Sequence, residues 1–202
     1  EFLHGLEGWA RKPDFWGGHQ VFSRGGLAPA GSMDNTRSMG EKLDRLAAEL
    51  GRRLEARRLM LATAESCTGG WIAKVVTDIS GSSAWFDRGF VTYSDAAKRD
   101  MLGVSDTSLA RHGAVSAQVV EEMARGAVEN SRAAVSVAVS GIAGPDGGSD
   151  EKPVGTVFFA WLLAGGTPVT QRLQFAGERD EVRHQTVRVA LERLLELLGD
   201  RG

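Results

Sequence analysis

Residues 133–139 read Ala-Ala-Val-Ser-Val-Ala-Val, a run of small and β-branched residues with no charge and no alternation. A strand with one wet face alternates apolar and polar residues, whereas a strand covered on both faces does not. Such a strand needs a layer above it and a layer below, and helical patterns supply both. Leu43, Leu46, Ala47, Leu50 and Leu54 recur at helical spacing behind Ser38-Met39-Gly40-Glu41. That tetrapeptide fits a capping box and predicts a helix starting at Ser38. Residues 69–79 predict a second helix, and Asp95 is expected to cap a short third one ending near Gly103. Ser116 is expected to cap another, with Val119, Val120, Met123, Ala127 and Val128 on its apolar face, and the last helix starts near Glu178. Strands are expected at 59–63, 86–93, 156–163 and 168–175, the last two joined at Gly165-Gly166. The alternation predicts an α/β fold, a three-layer α/β/α sandwich with a mixed, mainly parallel sheet.

A chain of 202 residues is expected to hold one domain, placed at 38–200. Residues 1–37 lack a sustained period, and Gly31-Ser32 before Met33 resembles a cloning junction, so this stretch is expected to be a tag or a disordered extension. A net charge of −2 argues against a dedicated nucleic-acid binder, which needs basic excess. No apolar run reaches the roughly 18 residues of a membrane span. The single cysteine, Cys67, forbids an intrachain disulfide and fits a reducing cytoplasm. The four histidines show no ligand spacing, so nothing supports a metal and none is expected.

Chemistry concentrates in three segments. Ala64-Glu65-Ser66-Cys67-Thr68-Gly69-Gly70 lies where a strand hands over to a helix, and a helix start offers backbone N–H groups to a developing anion. Ser66 is either a nucleophile there or an N-cap. Cys67 is either a rival nucleophile, activated by the helix end, or a small buried filler. Ser140-Gly141-Ile142-Ala143-Gly144-Pro145 follows the most apolar strand and lies at its carboxyl end, where open α/β sheets line a ligand crevice. The two loops face one pocket if their strands are parallel neighbours.

The third segment is Thr92-Tyr93-Ser94-Asp95-Ala96-Ala97-Lys98, which holds the only tyrosine and one of five lysines. If Asp95 is the cap, Lys98 stands at the helix end where the dipole opposes positive charge. That field and desolvation lower a lysine's pKa, and an ordinary lysine is neutral only about once in 2,500 molecules at pH 7. Lys98 is therefore a candidate base, or else a solvated lysine beside Asp95. Arg179, at the start of the last helix, either meets a phosphate or is one of nineteen arginines on the surface.

Residues 64–70, Gly81-Ser82-Ser83, Gly89-Phe90-Val91-Thr92-Tyr93-Ser94, His112-Gly113-Ala114-Val115-Ser116, residues 140–145 and Pro153-Val154-Gly155-Thr156-Val157 together resemble the CinA C-terminal domain family, in order through about 41–199. The resemblance implies hydrolysis of the carboxamide of nicotinamide mononucleotide, releasing ammonia, with no cofactor. It implies Ser66 as nucleophile and matches Tyr93 and Lys98 to active-site residues, so that Lys98, directly or through Tyr93, takes the serine proton. Thr68, Gly69, Gly70, Ser140, Gly141, Ile142, Gly144, Thr156 and Arg179 are expected to bind the substrate. Amides of 68–70 or of Gly141 and Ile142 are expected to hold the oxyanion. The expected partner is a small nucleotide, not nucleic acid or membrane, and a homo-oligomer is expected. The alternative is a catalytically silent nucleotide- or partner-binding module.

Overall fold

In the computed structural model, the described residues are 30–199. Most of the apolar run lies at the heart of the molecule in β3 (Val135–Gly141), which is buried from Val135 through Ser140. To one side lie β1 (Leu61–Glu65) and β2 (Phe86–Val91), to the other β4 (Thr156–Leu162) and β5 (Val169–Gln174), in the order β2-β1-β3-β4-β5. β2, β1 and β3 are parallel, and β4 and β5 continue the sheet antiparallel. The sandwich and the mixed sheet agree with the sequence, as does the β4–β5 turn, where Gly166 N–H donates to the Leu163 carbonyl.

The two sheet faces differ in side-chain size, and that sets what packs on each. Val135, Val137, Val139, Phe159 and Trp161 point to one face, where they meet α1 (Ala30–Ala56), α2 (Trp71–Thr77) and α6 (Arg179–Leu198). Trp161 is fully buried and satisfies its indole by donating to the Ala190 carbonyl at 2.9 Å. The other face carries Ala62, Ala64, Ala138 and Ala160, against which α5 (Ala117–Glu129) lies with Leu102 of α3 (Asp95–Leu102). Ser136 Oγ donates to the Ala124 carbonyl at 2.7 Å, a reach that small side chains around it permit. Each fully buried Val, Leu or Phe contributes about 1.5–3 kcal/mol, so both faces hold the sheet firmly.

Four local expectations are corrected. α1 begins at Ala30, so residues 38–41 lie inside the helix and do not start it; the rest of the expected tail, 1–29, lies outside the described residues. The cap of α3 is Ser94, whose Oγ accepts from Ala97 N–H at 3.1 Å, and Asp95 is the first helical residue. Ser is as good a cap as Asp and sits one residue earlier, so Lys98 becomes the fourth helical residue. A further helix, α4 (Asp106–His112), was not expected; Ser105 caps it. β1 runs two residues further than expected, to Glu65, which makes Ser66 the first residue beyond the strand. Ser116 caps α5 and Glu178 caps α6 as expected, the latter in a capping box with Glu181.

Candidate active site

β1 and β3 are parallel neighbours, so the loops that follow them leave the sheet at the same edge. Ser66 N–H donates to the Val139 carbonyl at 3.1 Å, extending the ladder by one residue and holding the serine between the strand ends. On the other side Thr92 N–H donates to the Glu65 carbonyl at 2.8 Å, which carries the end of β2 to the same level. Three strand ends thus converge at Ser66, the position that α/β sheets use for ligands.

Behind the serine, the Glu65 carboxylate is fully buried and accepts four hydrogen bonds. They come from Thr63 Oγ1 at 3.2 Å, Thr68 Oγ1 at 2.7 Å, Ile72 N–H at 2.9 Å and Ala73 N–H at 2.8 Å. The first turn of α2 is therefore closed by an internal anion. Its free amides, which the sequence offered to a ligand, are not available. Gly69 and Gly70 take positive φ, 62° and 92°, the left-handed conformation that lets the chain turn from strand to helix within a few residues.

Ser66 Oγ faces Lys98. The Lys98 ammonium nitrogen lies 3.1 Å from Ser66 Oγ and 2.8 Å from the Thr92 carbonyl. Lys98 is only 1 % exposed and Ser66 9 %. Burial pulls the Lys98 pKa below its ordinary value, with Asp95 acting in the opposite sense. A neutral amine donates to the Thr92 carbonyl and offers its lone pair to the serine hydroxyl, which fits the two neighbours. Thr92 Oγ1, buried beside them, has no hydrogen-bond partner among the described residues.

Cys67 is also buried, and its thiol is pushed up to about 12 by that burial. Only about one molecule in 10⁵ would carry the thiolate at pH 7. Desolvation outweighs the helix end here, so the rival nucleophile is a poor one.

The remaining expected residues fall into three places. Arg179 donates Nη1 to the Gly144 carbonyl at 2.7 Å and Nη2 to Tyr93 Oη at 2.8 Å, a bridge between the loops after β3 and β2. Tyr93 is 61 % exposed, and Lys98 reaches Ser66 without it. Ser140 Oγ donates to the Ala114 carbonyl at 2.8 Å, and Thr156 Oγ1 to Gln174 Oε1 at 2.7 Å. Among the expected oxyanion donors, Ile142 N–H already donates to the Thr156 carbonyl at 2.9 Å and Gly69 N–H to the Ser66 carbonyl at 3.0 Å, whereas Gly141, opposite Val157, turns its N–H away from β4. The N–H groups of Cys67, Thr68 and Gly70 have no backbone acceptor among the described residues, and the Cys67 N–H has its own thiol within reach.

Two residues were missed by reading the sequence, Glu65 and Arg183. Arg183 Nε donates to the Cys67 carbonyl at 3.1 Å and Nη2 to the Thr68 carbonyl at 3.0 Å. The available signal was its spacing: Arg179 and Arg183 lie one helical turn apart and so share a face of α6. Among the described residues, no cluster of three His, Cys, Asp or Glu could hold a metal ion, and no helix is long and apolar enough to cross a membrane.

Comparison with known proteins agrees with this architecture. The nicotinamide-nucleotide amidohydrolase PncC of Escherichia coli K12 is 58 % identical over 153 residues, covering 76 % of this chain and 93 % of that protein. The Pseudomonas putida protein of the same name is 53 % identical over 152 residues, covering 75 % and 94 %. Among solved structures, the competence/damage inducible protein CihA of Agrobacterium tumefaciens superposes with a TM-score of 0.75 at 50 % identity, covering 77 % of this chain and 95 % of that one. A CinA superfamily protein of Escherichia coli gives 0.74 at 44 % identity, covering 77 % and 90 %. The CinA C-terminal domain model matches residues 43–198, and the chain belongs to that family.

Proposed function

We propose that this chain hydrolyses the carboxamide of nicotinamide mononucleotide to nicotinic acid mononucleotide and ammonia, with Ser66 as nucleophile and Lys98 as its base. The substrate follows from relatives named nicotinamide-nucleotide amidohydrolase at 53–58 % identity. The observation that carries the chemistry is the 3.1 Å approach of a buried lysine to Ser66 Oγ.

Neutral Lys98 takes the hydroxyl proton as Ser66 Oγ attacks the amide carbon. The carbonyl π electrons move to oxygen, and the Cys67 N–H, on the residue that follows the nucleophile, donates to that oxyanion. Lys98 then gives its proton to the amide nitrogen, the C–N bond breaks and ammonia leaves. Water attacks the resulting ester as Lys98 takes its proton, and Ser66 leaves as the alcohol, reprotonated by Lys98. The cycle consumes one water and returns every proton.

Tyr93, Arg179 and the backbone of 140–144 lie around the mouth of this dyad and serve as the nucleotide-binding wall. Arg179 exchanges its contact with Tyr93 or Gly144 for the phosphate, a bidentate pairing suited to guanidinium. Binding energy from the ribose phosphate then positions the amide.

The test is ammonia release from nicotinamide mononucleotide in EDTA, wild type beside Ser66→Ala. Release by wild type alone is expected. Equal release by both proteins contradicts the serine mechanism, and binding without release by wild type favours a silent nucleotide-binding module.

A further inference from the structure

Arg183 is no part of the Ser66–Lys98 pair, yet its guanidinium grips the turn after Ser66 by two successive carbonyls. It is itself held in place. Its guanidinium carbon lies 5.2 Å from the centre of the Trp71 ring, and Nη1 lies 3.1 Å from Asp180 Oδ1. A planar fork restrained on its face and its edge is a stiff support for backbone.

We infer that Arg183 is a positioning residue for the oxyanion donor at Cys67 N–H, an inference that rests on the amidase reading above. The coupling runs through two peptide planes. A trans peptide is planar, so its C=O and N–H point in opposite directions. In the unit joining Thr68 to Gly69, the carbonyl is held by Arg183 Nη2 at 3.0 Å and by Trp71 N–H at 3.3 Å. The opposite end of that unit, Gly69 N–H, is thereby aimed at the Ser66 carbonyl, 3.0 Å away. The Ser66 carbonyl belongs in turn to the unit joining Ser66 to Cys67, whose other end is Cys67 N–H. Fixing the first plane fixes the second. Arg183 Nε, on the Cys67 carbonyl at 3.1 Å, restrains the intervening unit as well.

The need for such a support follows from the glycines. Gly69 and Gly70 carry no side chain to restrain the turn, and both have left-handed φ. Glu65 holds the helix side of the turn through Thr68 Oγ1 and the amides of Ile72 and Ala73, but it touches neither the Cys67 nor the Thr68 carbonyl. Arg183 supplies the missing restraint from α6. An oxyanion donor acts by being in place before charge develops, so a loosened turn slows the chemical step and leaves ground-state binding alone.

The test compares wild type, Arg183→Lys and Arg183→Met in two measurements. Steady-state hydrolysis of nicotinamide mononucleotide is expected to show kcat lower by about 10–100-fold in Arg183→Met, less in Arg183→Lys, with KM within about threefold and an unchanged pH midpoint. Amide hydrogen exchange over 66–70 is expected to speed by about tenfold or more in Arg183→Met. Unchanged kcat, or a raised KM with kcat intact, overturns the inference. So does unchanged exchange, whatever the activity. If wild type itself releases no ammonia, the amidase reading fails, and exchange alone still decides whether Arg183 holds the turn. Should Arg183→Met not fold, Arg183→Lys, which keeps the charge and the stem, carries both measurements.

Discussion

Lys74 and Lys98 are the fourth residues of α2 and α3, two helices that follow neighbouring parallel strands, yet they live in opposite environments. The Lys74 side chain is 66 % exposed and pairs with Asp78 one turn on, at 2.6 Å, and that bond raises its pKa. Lys98 is buried under the strand ends, its neighbours are a hydroxyl and a carbonyl, and burial lowers its pKa. Both stand equally close to a helix N-terminus, so the dipole cannot be what separates them. The side of the helix they occupy decides it. Lys74 points to solvent and finds a carboxylate, and Lys98 points under the sheet edge, where the charged form is disfavoured.

The widest separation is expected in catalysis. Ser66→Ala should remove about 10⁴-fold or more of the rate of ammonia release. Lys98→Met should cost about 10²–10⁴-fold at pH 7, while Lys74→Met stays within about twofold of wild type. Equal losses at the two lysines would break the contrast. Next in size is Glu65→Gln, which places an amide donor among four donors; about 2 kcal/mol of stability should be lost, read as melting about 4–8 °C lower.

Protonation sharpens the contrast further. The folded state holds Lys98 below its ordinary pKa, so the unfolded chain binds more protons between the folded value and the ordinary one. The Lys98 contribution is most favourable above the unfolded value and is lost as pH falls through the folded one. Melting curves of Lys98→Met against wild type should therefore shift in favour of the variant as pH is lowered. The Lys74 pKa moves the other way, so Lys74→Met should show no such trend. A small effect is expected at Cys67 as well. Its buried thiol takes no part, and Cys67→Ala should keep kcat within about threefold in the ammonia assay.

How much of this was legible in the sequence follows from the range of each interaction. The apolar run of β3 and the helical periods report burial on a whole face, so the layers and the sheet could be read from them. Ser66 and Lys98 were found from segment chemistry, but the reason given for Lys98 was incomplete. The sequence pointed to the dipole and desolvation together, and the Lys74 comparison shows that desolvation carries the effect. The cap one residue earlier, at Ser94, could not be separated from Asp95, because both side chains cap well. The partners in long-range contacts left no local mark. Arg183 lies 116 positions from Cys67, and Arg179 lies 86 from Tyr93. Nor did spacing reveal that Glu65 occupies the amides of α2, since its partners become neighbours only after the strand-to-helix turn is closed.

The central claim is that a buried, readily neutral Lys98 is the base for Ser66. Its most direct test is the pH dependence of kcat/KM for hydrolysis of nicotinamide mononucleotide, measured for wild type, Lys74→Met and Lys98→Met. Wild type is expected to rise with pH through a midpoint below that of an ordinary lysine, with Lys74→Met retracing the curve and Lys98→Met losing that limb. The same limb persisting in the residual activity of Lys98→Met would contradict the account, because some other group would then be taking the proton.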